Sequence, residues 1–571
     1  MKPANRTFLA DNDYVDKRIQ KLISIGCFLI SASLMPTLSY DAVTVPKIMI
    51  LYGLSFALLT LLVLRKTDNK KFVVRICASL VLFLISLIFA FLYGDTNWQI
   101  QLYGVVGRGT GLLTYISLTI VFLAAAIVSS EQFAKYLVNA LLYSGYLAVI
   151  FGMIQFFGLD PIPWENPNNS IITMFGNPNF ASAHLGICTI VIFPLLLRKQ
   201  KLSINFLSKI IFVLIAIFLC IVSDSSQGLL LISLLVPLII FIKVIRLHKK
   251  SLRKWIFLVF YGFFLFTGLL AFFNRGILSP IIYQSSFQHR QDMWAAAIAM
   301  IKANPLHGVG LDSYGFFYRE FRNESNVSRW GLGNISDSAH NVFLDFASNG
   351  GIPLLLGYLI VVLVVFWSGV KLIAIKNKIS DFEVSIIFGA LAYLVQSFFS
   401  INQLGIAIWG WAFGGYILGC YLKFNNSIHL AGENVEPRRE NYAHPNKDLA
   451  PLFLSWIGLC VGLLISLPLA VKDFQFRNAL VRGDGIALEK VLSNFPRNTE
   501  YYVVAAKAYS LSDIDDYALK TALAAVRFNK RDFDSWLLIL ENPISANIQK
   551  NEAKFAISKI DPFYRFNESS K

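Results

Sequence analysis

Cysteine is scarce in this chain of 571 residues, and what there is lies in the wrong places for cross-linking. Six cysteines (Cys27, Cys77, Cys188, Cys220, Cys420, Cys460) sit in or beside apolar segments, and none falls in the polar stretches 274–350 and 472–571. A disulfide framework or a thiolate metal cluster is therefore not expected. The glycines of Val106-Gly107-Arg108-Gly109-Thr110-Gly111 lack the Walker pattern, which excludes a phosphate loop of that kind. The first apolar run, Leu22–Leu38, is not followed by a small-x-small cleavage site, so an uncleaved span is expected there rather than a signal peptide.

Apolar sequence is what the chain has in excess. It is 56% hydrophobic with a mean hydropathy of +0.57, above the roughly 45–50% apolar content of soluble domains. Runs of near-spanning length recur: Leu22–Leu38, Ile48–Leu64, Phe72–Tyr93, Leu112–Val128, Tyr136–Phe157, Ala181–Leu197, the shorter Ile210–Val222, Leu229–Ile245 and Trp255–Phe273. Ile352–Ile375, Phe382–Ile401, Leu404–Leu422 and Pro451–Val471 follow. A spanning helix needs about 20 apolar residues, so the expected fold is all-α, a polytopic bundle of about 12–13 spans.

The net charge of +16 is topological rather than a nucleic-acid footprint. With the N-terminus inside, the short inner loops carry 18 Lys/Arg and the short outer loops 2, as the positive-inside rule requires. That orientation puts a large loop, 274–350, outside the cytoplasm and the linker 423–449 inside. A further span, 450–471, returns residues 472–571 to the outside. The expected organisation is a cytoplasmic arm 1–21, a membrane domain 22–422, the linker, the extra span and an external C-terminal module.

In that module, apolar residues at helical spacing are broken at Asn494–Asn498, Asn529–Asp532 and Asp561-Pro562. The period of about 32–34 residues resembles tetratricopeptide helix pairs.

Lipid tolerates non-helical backbone only where protein or water shields it, so the loop 274–350 is the expected place for chemistry. Arg290 and Trp294 are four apart on one helix face in Gln288–Trp294, and a guanidinium there matches a phosphate. Asn304–Leu311, with its Pro, His307 and two glycines, reads as a structural turn. In Asp337-Ser338-Ala339-His340-Asn341, His340 meets the start of an apolar helix; an imidazole takes a proton near neutrality, and Asp337 or Asn341 would orient it. Three further polar motifs face the same side: the turn around Arg108, Phe175–Phe180 with Asn177, and Ser223–Gly228 with Gln227.

In this order, Arg290…Trp294, Asn304-Pro305…Gly308-Val309-Gly310 and Ala339-His340-Asn341…Phe343-Leu344 resemble the signature region of the bacterial O-antigen ligase/polymerase superfamily. Gly176-Asn177-Pro178-Asn179 and the Gly-Arg-x-x-Gly around Arg108 are similar to it as well, over about residues 20–422. The resemblance implies transfer of a glycan from a polyprenyl diphosphate carrier to an acceptor hydroxyl, without a metal or other cofactor. It implies His340 as general base and Arg290 as the cation that holds the diphosphate. Arg108, Gln227, Asn341, Asp337, Trp294 and Asn177 are the expected substrate-binding residues. Many ligase-like members carry Ser-Arg-Gly where this chain has Ser226-Gln227-Gly228, so a second arginine is missing there, and Arg108 or Gln227 stands in its place.

Donor glycan, glycan or protein acceptor and membrane lipid are the expected partners, with a protein partner for the C-terminal module and no nucleic acid. Ligase, polymerase and protein O-oligosaccharyltransferase remain open within the class. A flippase would show two similar halves, whereas here the polar residues gather on one side. A non-catalytic anchor leaves the motifs from Arg290 to Asn341 without a purpose.

Overall fold

The computed structural model describes residues 12–66, 69–162, 170–198, 201–223, 225–247, 252–276, 279, 285–376, 379–431 and 450–566. Residues 1–11 of the expected arm, 432–449 of the expected linker and Asp224 lie outside them. The described residues are helical throughout, with no strand. Each expected span coincides with a helix. Asn12–Ala32, Thr44–Leu64, Lys70–Tyr93, Leu112–Ile127, Glu131–Phe156 and Pro178–Leu196 come first. Ile204–Val222, Gln227–Leu247, Leu252–Phe272, Val342–Ile375, Asp381–Ser397, Leu404–Ala431 and Ala450–Arg482 follow.

Eight of these helices are long and apolar enough to cross a membrane, and Leu112–Ile127, Gln227–Lys243 and Trp255–Ala271 are shorter apolar helices. Large apolar side chains such as Val259, Phe260 and Phe263 point out of the bundle; only lipid covers such a surface without a large cost. The protein is a multi-pass membrane protein.

Alternate connections meet at opposite ends. At one end Arg65 pairs with Asp16 at 2.6 Å, Gln20 donates to Val128 O at 2.9 Å, and Lys423 to Ser129 O at 2.8 Å. At the other, Thr44 Oγ1 donates to Gly107 O at 3.0 Å, Gly107 N to Asp41 Oδ2 at 2.8 Å, and Lys47 Nζ to Met174 O at 3.2 Å.

Three boundaries differ from those expected. The first helix starts ten residues before the apolar run and stops at Ala32, because Pro36 offers no amide hydrogen and disfavours helix at the residue before it. Where a loop was expected over 274–350, the described residues form a folded, mostly helical insertion: Ser285–Ala303, Tyr314–Phe321, Glu324–Trp330 and the first nine residues of Val342–Ile375. Its core is Met293, Ala296, Met300, Tyr314, Phe317 and Tyr318, so polar sequence outside the bundle still buries its own apolar face.

The turn expected at Asn304–Leu311 is structural. It packs on the break in Val342–Ile375 at Gly351, with Val309 N donating to Ser348 O at 2.8 Å and Gly310 N to Asn349 O at 3.0 Å. Gly351 has φ +75°, and a Cβ there would sit 2.4 Å from Leu306 O. His307 Nδ1 lies 2.8 Å from the neighbouring Gly308 O.

The last membrane helix does not end at Val471 but continues to Arg482. It lies against Thr44–Leu64 through Gly458 and Gly462, where any Cβ would approach Phe56 O to 2.5 Å and Tyr52 O to 2.2 Å, a small-residue contact common between membrane helices. Its buried Asp473 accepts from Tyr40 N at 2.8 Å and Tyr501 Oη at 2.9 Å, tying three parts of the chain together. Helices Gly485–Ser493, Thr499–Leu511, Asp515–Phe528, Phe533–Glu541 and Asn547–Ile560 follow. The expected breaks follow Gly485–Ser493, Asp515–Phe528 and Asn547–Ile560.

These C-terminal helices are clamped to the insertion. Buried Asp561 meets Arg322 at 2.7 Å and Arg319 at 3.2 Å, Arg319 lies 3.8 Å over the Phe533 ring, and Arg531 lies 3.7 Å over Phe317 and pairs with Glu320. Removing one partner of a buried pair costs about 3–5 kcal/mol, because the other charge stays buried. Asp561→Ala is therefore expected to lower the melting temperature and to expose the C-terminal helices to limited proteolysis, read as a new fragment on a gel.

Candidate active site

The insertion, the 104–111 turn and the 398–403 connection converge at one end of the bundle. Three carboxylates enclose Arg108, which is 7% exposed. Asp312 Oδ1 lies 3.0 Å from Nε, Asp337 Oδ1 3.9 Å from Nη1 and Asp345 Oδ2 3.9 Å from Nη2. Nη1 also donates to the backbone carbonyl of Asp337. Burial works against its charge, yet the three carboxylates hold the guanidinium protonated above its ordinary range. Asp312 additionally accepts from Val105 N at 2.9 Å and Thr110 Oγ1 at 2.7 Å, so one acid fixes the whole Arg108 turn.

Arg290 lies on Ser285–Ala303, four residues before Trp294 as expected. Its Nε donates to Phe399 O at 3.2 Å and its Nη1 to Ser286 O at 3.2 Å. Among the described residues no carboxylate pairs with it, and burial alone pulls its pKa down. A cation held by carbonyls and left without a counter-ion is poised for an anion from outside.

His340 lies within the electrostatic field of both arginines. Its backbone is left-handed at φ +48°, a conformation costing about 1–3 kcal/mol outside glycine and held only where the surroundings enforce it. Here Ala339 N donates to Asp345 Oδ1 at 2.8 Å and His340 N to Ser338 Oγ at 3.2 Å. On the other flank Asn341 Oδ1 accepts from Phe343 N at 3.0 Å and Leu344 N at 3.2 Å. Burial above all, then the charges of Arg290, Arg108 and His289, bring the imidazole down to about 4 against the upward pull of Asp337. The ring is thus neutral at pH 7 and within the field of both arginines and Asp337.

The other expected residues have these surroundings. Asn341 caps the helix that follows it, as Asn177 caps Pro178–Leu196 by accepting from Asn179 N at 2.9 Å. Trp294 packs edge-on against Phe287, its ring centroid 5.9 Å away. Asp337 turns a 61% exposed carboxylate outward. Gln227 begins its helix, buried, with neither side-chain heteroatom hydrogen-bonded in the described structure. Among the described residues no hydrogen bond or ion pair joins Asn177 or Gln227 to Arg108, Arg290 or His340.

Three residues went unread in the sequence. Asp312 and Asp345 hold Arg108 and the His340 turn; lone acids within apolar surroundings were the available signal. Lys47 is fully buried and donates to Ser33 O at 2.8 Å and Met174 O at 3.2 Å. With Arg108, Thr110 and Asn402 it lines a small polar cavity of about 10 Å³, room for one water molecule. A lysine just inside a span is costly enough to have been suspected.

The fold is a multi-pass helical bundle with this arginine- and histidine-bearing centre at one end. Residues 210–359, a segment that carries Gln227, Arg290, Asp312 and His340, match the family model described as O-Antigen ligase, which supports the O-antigen ligase superfamily. Such a family uses a lipid-linked glycan donor and a glycan acceptor in general. No curated protein matches the chain.

Proposed function

We propose that the protein transfers a glycan from a polyprenyl diphosphate to an acceptor hydroxyl on the outer side of the cytoplasmic membrane. The observation that carries this reading is a buried His340 in the field of Arg290, which pairs with no carboxylate among the described residues, and of a carboxylate-held Arg108. The imidazole takes the acceptor's hydroxyl proton as the oxygen attacks the anomeric carbon. The bond from that carbon to the diphosphate breaks, its electron pair leaves with the phosphate oxygen, and Arg290 stabilises the charge that develops. Attack from the face opposite the leaving group inverts the anomeric centre. The C-terminal helices are, in this reading, tetratricopeptide-like pairs on the same outer side.

Reconstitution with a polyprenyl diphosphate glycan and a panel of acceptors tests the proposal. Product from wild type, with none above background from His340→Ala and Arg290→Ala, is the expected result; normal turnover by both variants overturns it. Lys47 takes the part of the missing second arginine. Lys47→Met is expected to slow turnover roughly tenfold or more, in the range of one lost electrostatic donor, without lowering the melting temperature, since a buried charge is removed.

A further inference from the structure

A cavity of about 360 Å³ opens between the insertion and the C-terminal helices, within the roughly 300–1,000 Å³ typical of small-molecule sites. One wall carries Phe316, Ile335 and Asp337, and the facing wall carries Glu500, Asp532 and Asp534. Its two guanidinium groups, Arg319 and Arg531, are already paired with Asp561 and Glu320. Of the lining carboxylates, Asp312 and Asp337 pair with Arg108 and Asp534 pairs with Lys507 at 2.6 Å, while among the described residues no ion pair engages Glu500 or Asp532.

Such a lining repels a diphosphate and favours a neutral ligand rich in hydroxyl donors. Burial pushes Asp532 up to about 6 and raises Glu500 too, so these acids bind hydroxyls with less charge to desolvate. The clamps at Asp561, Phe317 and Phe533 hold both walls in place before anything binds, which reduces the entropy cost of binding. The cavity also reaches Ser336 and Asp337, on the turn before His340. Asp337 lines it, holds Arg108 with its backbone carbonyl, and lies three residues from His340.

We propose that this cavity is the acceptor subsite, taking the uncharged, hydroxyl-rich end of an acceptor glycan, with the C-terminal helices supplying half of it. This rests on the transfer reading above, and the test separates the two. Full-length protein in lipid nanodiscs is applied to a printed array of neutral and acidic oligosaccharides. Wild type is compared with Ile335→Trp, Glu500→Gln and His340→Ala, and each variant's melting temperature is recorded. Ile335 is 54% exposed, so a tryptophan there blocks the mouth without entering a core.

Neutral oligosaccharides retained by wild type and His340→Ala, bound roughly tenfold more weakly or worse by Ile335→Trp and more weakly by Glu500→Gln, are the expected result. Equal retention by both cavity variants, retention of acidic sugars alone, or no sugar retained by wild type overturns the assignment. The last outcome is the one a peptide acceptor would give. Loss of sugar by Ile335→Trp together with normal turnover by His340→Ala would leave the cavity assigned and the transfer reading refuted. The reverse pair would refute the cavity alone.

Discussion

His340→Ala is expected to cut glycan transfer by about 10²- to 10⁴-fold, the usual contribution of a positioned general base, while the protein stays folded. The pH dependence distinguishes a base from a merely structural histidine. Burial first, then the charges of Arg290, Arg108 and His289, hold the free imidazole down to about 4 against the pull of Asp337. The profile of kcat/KM, which reports the free enzyme, is thus expected to stay level from pH 8 to pH 5 and to fall only towards pH 4.

The profile of kcat reports the loaded enzyme. A bound diphosphate offsets the two arginines, so the proton is held more tightly and the acid limb of kcat shifts to higher pH than that of kcat/KM. Coincident limbs would mean that the diphosphate does not sit near His340. A stability consequence has the opposite cause. The unfolded chain takes this proton near the ordinary 6.5 and the folded chain only near 4, so stability falls as pH drops through that window and levels off below it. His340→Ala removes that part of the acid sensitivity, which urea titrations at pH 7 and pH 5 would read.

Much of this centre was legible in the sequence because the membrane makes polar residues conspicuous. Arg290, Arg108 and His340 each stand at a boundary where apolar sequence gives way, and the cost of burying a charge leaves few innocent explanations there. The same contrast placed the spans, since runs near 20 apolar residues have one economical solution in lipid.

What stayed hidden was pairing. Asp312 and Asp345 lie far in sequence from Arg108 and on the chain look like ordinary polar residues; only the fold brings them to 3.0 and 3.9 Å. The helical character of 274–350 escaped for a related reason. Its apolar positions bury against one another in a small separate core around Met293 and Tyr318, and a short amphipathic helix carries little signal beside a spanning one. The cavity on the C-terminal helices was unreadable in principle, as its two walls are more than 150 residues apart in the chain.

Arg290→Ala and Arg108→Ala are expected to part company, although both remove a guanidinium from the same centre. Arg290 donates only to backbone carbonyls and pairs with no acid among the described residues. Its loss costs the folded protein little and costs the reaction a cation, roughly 10²- to 10³-fold in turnover. Arg108 neutralises Asp312, Asp337 and Asp345, and the first and last of these are buried. Its loss leaves like charges facing one another in a dry site, at about 3–5 kcal/mol, and releases the turn that sets His340 through Asp337 and Asp345.

Arg108→Ala should therefore lower the melting temperature as well as turnover, and Arg290→Ala turnover alone, measured by thermal unfolding and transfer assays on one preparation. Combining Arg108→Met with Asp312→Asn removes one of the stranded acids, so part of the lost stability should return without the activity. Pairs in direct contact depart from additivity in this way. A preparation in which Arg290→Ala unfolds and Arg108→Ala does not would exchange the two roles, making Arg108 the cation that meets the diphosphate and Arg290 the one that holds the site together.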